Sequence, residues 1–397
     1  MTWIIDKHGR YFGYMEFVDV LRRLETGWRR GESDFRIDVT GFHVFYPDGM
    51  CPLIATLRHL QAHGRRVHLE LPRSTEMYRY WEIAGWIPAL EGEPAPAARP
   101  GSTYLPMSGY RNGVELNDLV DTSLRIVAES GAFPTGVLTA FEWSLNEIAD
   151  NVLVHADSDD GGWMQLNRFP EKNHVEFVVA DTGRGIRASL AESYPTLTSD
   201  IDAIDLAVQK GTTRNRDIGQ GNGLSGAARI ATSSNGWLNL HSGSGQLRLL
   251  QGDAHQATVA TLTGTVVTVT LPTDRPIDLS EALWGHVPTP AFELEYVGDH
   301  GIEFRVAEHA SNFGNRETGA RLRNRLLNVM TESPEEPVVI DFDGIDLVSA
   351  SFADEFVAKL VREMGPMRFF GRIKLRNVTG FISDTLDRVI SQRLADE

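Results

Sequence analysis

The sequence predicts an α/β protein assembled from three units. Three observations carry that prediction. Strand-like and helix-like segments alternate through the first and last thirds of the chain. A Pro- and Ala-rich stretch, EGEPAPAARPG over residues 91–101, divides the first third from the middle. The middle third puts Asp and Gly clusters at the ends of apolar runs, where α/β sheets present ligand sites. With 397 residues, 42% of them hydrophobic and 23% charged, there is apolar material for several cores.

The first unit is expected over residues 1–95. Residues 35–44 read as a strand, with Ile37, Val39, Phe42 and Val44 apolar. Pro47 and Gly49 make a turn. Residues 53–63 have helical spacing at Leu53, Ile54, Leu57 and Leu60, and Gly64 closes that helix. A strand at 67–71 and a helix at 78–84, ended by Gly85, complete a small α/β unit. Cys51, the only cysteine, cannot form an internal disulfide or a thiolate cluster, and it sits in an apolar helical run that predicts core packing. Residues 96–112 are expected to be a linker.

The second unit is expected over 113–275. Residues 117–128 are amphipathic, with Leu119, Val120, Leu124 and Val127. A longer helix is expected over 137–154, strands at 163–167 and 175–180, and a closing strand at 265–271 before Pro272 and Pro276. Within the long helix, the i, i+4 spacing of Glu147 and Asn151 puts both on one face, which His155 continues. A carboxylate there can deprotonate a water, and an amide oxygen beside it suits a hard cation; the same pattern also suits a solvated helix face. In VVADTGRGI, Asp181 emerges at a strand end and can accept from an exocyclic amine. Gly183 and Gly185, followed by Ile186, let a ligand approach the backbone, though a plain turn reads alike. In GQGNGL, Gly219, Gly221 and Gly223 precede a helix starting near Leu224; free N–H groups there suit phosphate, and a hinge is the alternative. Thr265, beginning the last strand, carries a hydroxyl that could join a base-binding network, or is an ordinary strand residue.

Taken together and in this order, the four pieces resemble the GHKL (gyrase, chaperone, histidine kinase, MutL) ATPases. The resemblance covers residues 115–272. Its N-box corresponds to EIADN at 147–151, its glycine motifs to DTGRG at 181–185 and GQGNGL at 219–224, and its late threonine to Thr265. It implies a Bergerat-type α/β sandwich, helices on a mixed sheet, that binds ATP with Mg2+. It implies Glu147 as general base, Asn151 as magnesium ligand and Asp181 as adenine reader. The segment between the glycine motifs would be a mobile lid. There, Lys210, Arg214 and Arg216 are either γ-phosphate contacts or a solvated basic loop. No histidine lies between the linker and Glu147, so an autophosphorylating histidine kinase is disfavoured. Compact relatives such as the anti-sigma-factor serine kinases fit better.

A connector over 276–298 leads to the third unit, 299–397. Residues 302–306 begin it, 316–330 form a helix, 337–342 a buried strand, 352–361 a helix and 372–375 a strand. In PVVIDFDGIDLVSASFADEF a strand delivers Asp341, then Ser349 and Ser351 precede a helix, where serine is most often a cap. The segment resembles a divergent STAS (sulfate transporter and anti-sigma-factor antagonist) domain. That resemblance makes Ser351 a candidate phosphoacceptor, although the family's Asp-Ser-Ser-Gly is not kept here. The first unit shares the strand–helix plan and is expected to be a second, weaker STAS-like domain.

The net charge of −16, from 38 basic and 54 acidic residues, repels phosphate backbones, so general nucleic-acid binding is disfavoured. No stretch is long and apolar enough to span a bilayer, and residues 1–10 lack a signal-peptide pattern, which predicts a cytoplasmic protein without membrane contact. The function expected is a nucleotide-driven regulatory ATPase with a protein partner, and with a homodimer as one assembly. The alternatives are an anti-sigma-type protein serine kinase and an idle scaffold, and a retained general base argues against the last.

Overall fold

A computed structural model of the chain describes residues 2–209, 223–283, 285, 288, 296–298 and 301–395. The first unit opens with β1 (Trp3–Phe12), α1 (Tyr14–Arg29), β2 (Asp34–Phe45), α2 (Pro47–Ala62) and β3 (Arg66–Leu69), followed by the short α3 (Thr75–Ile83) and α4 (Trp86–Glu91). The three strands pair in parallel in the order β1-β2-β3. β2 buries Phe35, Ile37 and Val39 and turns the residues between them outward, the period of a half-covered strand. Pro47 starts α2 at a position whose missing N–H has no helical partner to lose.

The central unit holds β4 (Tyr104–Tyr110), α5 (Gly113–Ser130), α6 (Val137–Asn151), β5 (Gly162–Phe169), β6 (His174–Asp181), α7 (Gly185–Leu190), α8 (Asp200–Ala207), α9 (Gly223–Ser233), β7 (Trp237–Leu250) and β8 (Asp253–Pro272). Its five strands lie in the order β4-β5-β6-β8-β7, and each neighbouring pair runs antiparallel. β4 falls inside the stretch expected to be a linker. It is an edge strand, which tolerates Pro106, and it pairs with β5. The helix expected to run to 154 stops at Asn151 and continues as a single π turn, Val152–Ala156.

Side chains alternate across this sheet, and both faces are covered. Val175, Phe177, Val179, Val267 and Val269 face Leu124, Phe141, Leu145, Ile148 and Ile230 of α5, α6 and α9. Val178, Ala180 and Val266 face the opposite way and join the first unit's core, with Phe17, Leu21, Met50 and Ile54. This second contact is partly polar. Trp86 Nε1 donates to Gln165 Oε1 at 2.9 Å. Glu176 is buried there, and its carboxyl is pushed up to about 8, chiefly by burial and then by the charge of Asp48 in α2.

The third unit pairs β9 (Val297–Gly298), β10 (Gly301–Arg305), β11 (Val338–Asp341) and β12 (Ile373–Arg376) in the order β12-β11-β10-β9. β10, β11 and β12 are mutually parallel, the plan of the first unit's sheet. The helix Arg316–Glu332 joins β10 to β11 and packs on α5. One face of it carries Arg321, Asn324, Asn328 and Glu332, spaced to line up. Arg321 pairs with the buried Glu129 at 3.0 Å, and Asn324 Nδ2 donates to Glu129 O. Asn328 accepts from Phe133 N and donates to Ala128 O and Gly131 O, and Glu332 Oε1 accepts from Gly136 N at the start of α6.

Two consequences can be measured. Asn328→Ala strands one buried N–H and two carbonyls, so denaturant unfolding of the full chain is expected to lose about 2–4 kcal/mol. A loss below ~0.5 kcal/mol would show that this helix is not docked in solution. For Glu176 the folded pKa lies above the unfolded value, so its contribution to stability is present at low pH and disappears as pH rises from ~4.5 towards 8. Glu176→Gln should flatten that decline in thermal unfolding; an unchanged pH profile would place Glu176 in water.

Candidate functional site

Four chain segments meet at the Asp181 end of β6. The first is α6. It buries Phe141, Leu145 and Ile148 against the sheet, which leaves Glu147 and Asn151 half-buried on another side. Burial raises the Glu147 carboxyl above its ordinary value, and the negative charge of the exposed Asp150 raises it further. Such a shift brings a carboxylate nearer the pKa at which a general base works best.

The second segment is the turn after β6. Asp181 is the last residue of the strand, paired on one side with Gly162 and on the other with Thr265. Its Oδ1 accepts from Gly183 N at 2.8 Å, and the backbone N–H of Thr265 also reaches it. Burial outweighs both bonds and pushes Asp181 up to about 7. The turn is stitched to the π turn that follows Asn151: Arg184 N donates to Ala156 O at 2.8 Å, and Arg184 Nε to His155 O at 3.1 Å. These bonds bring the Asp181 turn beside the end of α6.

The third segment is the start of α9. Gly223 lies directly against Glu147, and a Cβ at that position would run into Glu147 Oε2. The fourth is the irregular stretch of β8 at Gly264, where its register with β7 shifts. Gly264 has φ +91°, and a Cβ there would run into Asp181 O. Thr265 follows it, with its hydroxyl 3.1 Å from Ser242 Oγ on β7. Ser242 Oγ also donates to Gly264 O at 3.0 Å and accepts from Ile186 N at 2.9 Å.

Of the residues singled out in the sequence, Glu147, Asn151, Asp181, Gly183, Gly185, Ile186, Gly223 and Thr265 lie on these segments, and Leu224 packs half-buried against the core. Lys210, Arg214, Arg216, Gly219 and Gly221 lie outside the described residues. Two participants escape sequence reading. Arg184 hides inside the glycine motif, and Ser242 sits in HSGSG, where the apolar alternation of β7 breaks. That break is the signal that could have marked it.

The donor set suits a magnesium nucleotide. Glu147 and Asn151 offer hard oxygen donors one helical turn apart. Asp181 offers a buried acceptor, and Gly223 lets the start of α9 come directly against the Glu147 carboxylate. In the third unit, Ser349 Oγ accepts from Phe352 N at 3.0 Å and so caps the helix, whereas Ser351 lies in its first turn and is exposed. Asp341 is buried and held by Arg376 and Asn377.

Residues 138–275 match the family described as histidine kinase-, DNA gyrase B- and HSP90-like ATPase. Residues 318–380 match a STAS-like domain of unknown function (DUF4325). No curated protein matches the chain. The chain therefore contains a GHKL-type ATPase domain, with an α/β fold, followed by a STAS-like domain. Among the described residues no helix is long and apolar enough to cross a membrane.

Asp181 gives this site a pH signature. If its carboxylate accepts the adenine amine, ATP affinity should rise between pH 6 and pH 8 as Asp181 ionises. Asp181→Asn should weaken ATP about tenfold and abolish that rise. Equal affinities for both proteins across the pH range, measured by calorimetry, would remove Asp181 from the pocket.

Proposed function

We propose that the chain is a magnesium-dependent ATPase that works as a regulatory switch, with the nucleotide state of the central unit read out by the units docked on it. The observation that carries this reading is the position of Glu147. It is half-buried, raised in pKa and free of any side chain at the facing Gly223. An idle scaffold has no use for a base poised in that way. In the reaction, a water proton passes to the Glu147 carboxylate, the water oxygen bonds to the γ-phosphorus, and the bond to the bridging oxygen breaks with its electrons leaving on ADP. Asn151 would hold Mg2+, which when bound neutralises charge on the phosphates. Asp181 and Thr265 would orient the base.

The switch reading is supported by the way the third unit docks. Its helix Arg316–Glu332 bonds the loop that leads into α6, and Glu332 satisfies Gly136 N at the helix start. A shift of α6 upon nucleotide binding would bear on those bonds, and a protein partner would sense the change through the STAS-like unit. By its parallel strand order the first unit is proposed as a second STAS-like domain. A second reading, a serine kinase of the anti-sigma type, is favoured by one observation: Ser351 is exposed in the first turn of its helix, where a second copy or partner can reach it.

One assay separates the readings. The full chain is incubated with γ-labelled ATP and Mg2+, and free phosphate and protein-bound label are both followed. The switch reading expects free phosphate only, reduced about 100-fold or more in Glu147→Ala while ATP binding survives. Turnover that persists in that variant would mean that Glu147 is not the base. Bound label lost in Ser351→Ala would make the chain a kinase acting on its own STAS-like unit.

A further inference from the structure

Besides the Trp86–Gln165 bond, the first unit makes a second buried polar contact with the ATPase domain. Tyr14, the first residue of α1, lies with its hydroxyl 3.1 Å from His241 Nδ1 on β7. His241 is fully buried, and its Nε2 faces two carbonyls, Ala260 O at 3.0 Å and Gly243 O at 3.1 Å. Only an N–H can face two acceptors, so the proton sits on Nε2 and Nδ1 accepts from the Tyr14 hydroxyl. The surroundings agree with a neutral ring. Burial holds His241 down to about 4, and the charged groups near Tyr14, Asp48 and Arg248, have opposite signs, with the Asn239 side chain also facing its hydroxyl.

The next residue along β7 is Ser242, whose side chain points to the other face of the sheet. There it accepts from Ile186 N, donates to Gly264 O and touches the Thr265 hydroxyl. Immediately beyond it the β7–β8 register breaks, between Ser242 and Gly243 and again between Gly243 and Gly245. This irregular stretch has few ladder bonds of its own and is fixed by side chains. His241 clamps it from behind, across the Gly243 and Ala260 carbonyls. Asp200 of α8 clamps it from the front, accepting from Ser244 N and Ser244 Oγ at 2.8 Å each while pairing with Arg187 at 2.7 Å.

We propose that Ser242 is a positioning residue of the nucleotide pocket and that Tyr14, from outside the ATPase domain, holds it in place through His241. The first unit is thereby a structural part of the pocket rather than an appendage. The proposal rests on the nucleotide reading given above and deepens it. Ser242 sets the Ile186 amide and the Gly264–Thr265 stretch of β8 beside Asp181, and Tyr14 fixes the strand from which Ser242 projects.

The test uses the full chain and two readouts: affinity for a fluorescent ATP analogue with Mg2+, and amide hydrogen exchange of the nucleotide-free protein. Tyr14→Phe, which removes one oxygen, should weaken the analogue about five- to tenfold and speed exchange at Ile186 and residues 242–245. Ser242→Ala should do the same, and Ser242→Thr, which keeps the hydroxyl, should restore both. Glu25→Ala is the control. Glu25 Oε1 accepts from Thr261 N and also ties the first unit to β8, but it is not part of this path. It should leave affinity and Ile186 exchange unchanged. If Glu25→Ala weakens the nucleotide as much as Tyr14→Phe does, general docking and not this path is responsible, and the proposal fails. It also fails if Tyr14→Phe moves neither readout. A parent chain that does not bind the analogue overturns the nucleotide reading instead, and exchange at Ile186 then decides the Tyr14 path alone.

Discussion

A sheet has two faces, and here neither can be left to water. The antiparallel central sheet puts Val175, Phe177 and Val179 on one side and Val178 and Ala180 on the other, all buried. An antiparallel sheet often leaves one face solvated. In this chain α5, α6 and α9 cover the first face, and the first unit's α1 and α2 cover the second. The arrangement of the remaining parts follows from that demand. Three layers are needed, and the outer layer must come from a separate α/β unit.

The covering is not uniformly apolar. Gln165, Glu176, Asn239, His241, Thr268 and Thr270 are all buried on or near the second face. Burying such groups is unfavourable unless they find partners, so their presence restricts which surface can cover them. Trp86 answers Gln165, and Tyr14 answers His241. A slide of the first unit along the sheet would strand these groups, so the seam selects one docking geometry where an oily surface would accept several. Glu176 and Asp48 pull the other way, since two acids share the same dry region and burial favours their protonated forms.

Much of the site was legible because its chemistry is local in sequence. Glu147 and Asn151 are one helical turn apart, and Asp181 stands between an apolar strand and two glycines. Spacing of that kind survives without knowledge of the fold. The missed parts depend on long-range pairing or on weak periodicity. β1 buries little beyond Ile5 and Phe12, with exposed polar residues between, so its alternation is faint. β4 hid in the expected linker because Pro106 and Gly109 read as breakers. β8 was anticipated only from 265; it begins at Asp253, and its first residues are exposed and polar because they extend beyond the rest of the sheet. Ser242 depends on partners 22 to 56 positions away, and no local pattern points to them.

The helix that docks the third unit has a property beyond its strength. Asn324 and Asn328 reach main-chain atoms of Ala128, Glu129, Gly131 and Phe133, and Glu332 reaches the amide of Gly136. Main-chain atoms are the same whatever side chain is attached. These bonds therefore ask nothing of the loop's side chains, and what fixes Phe133 and Gly136 lies elsewhere: Phe133 is buried in the core, and Gly136 has a φ of +79° with its backbone against Ile277 O. Variation between related chains should be lopsided across this contact, with change gathering at the exposed loop positions Ala132 and Thr135 and constancy on three positions of the helix.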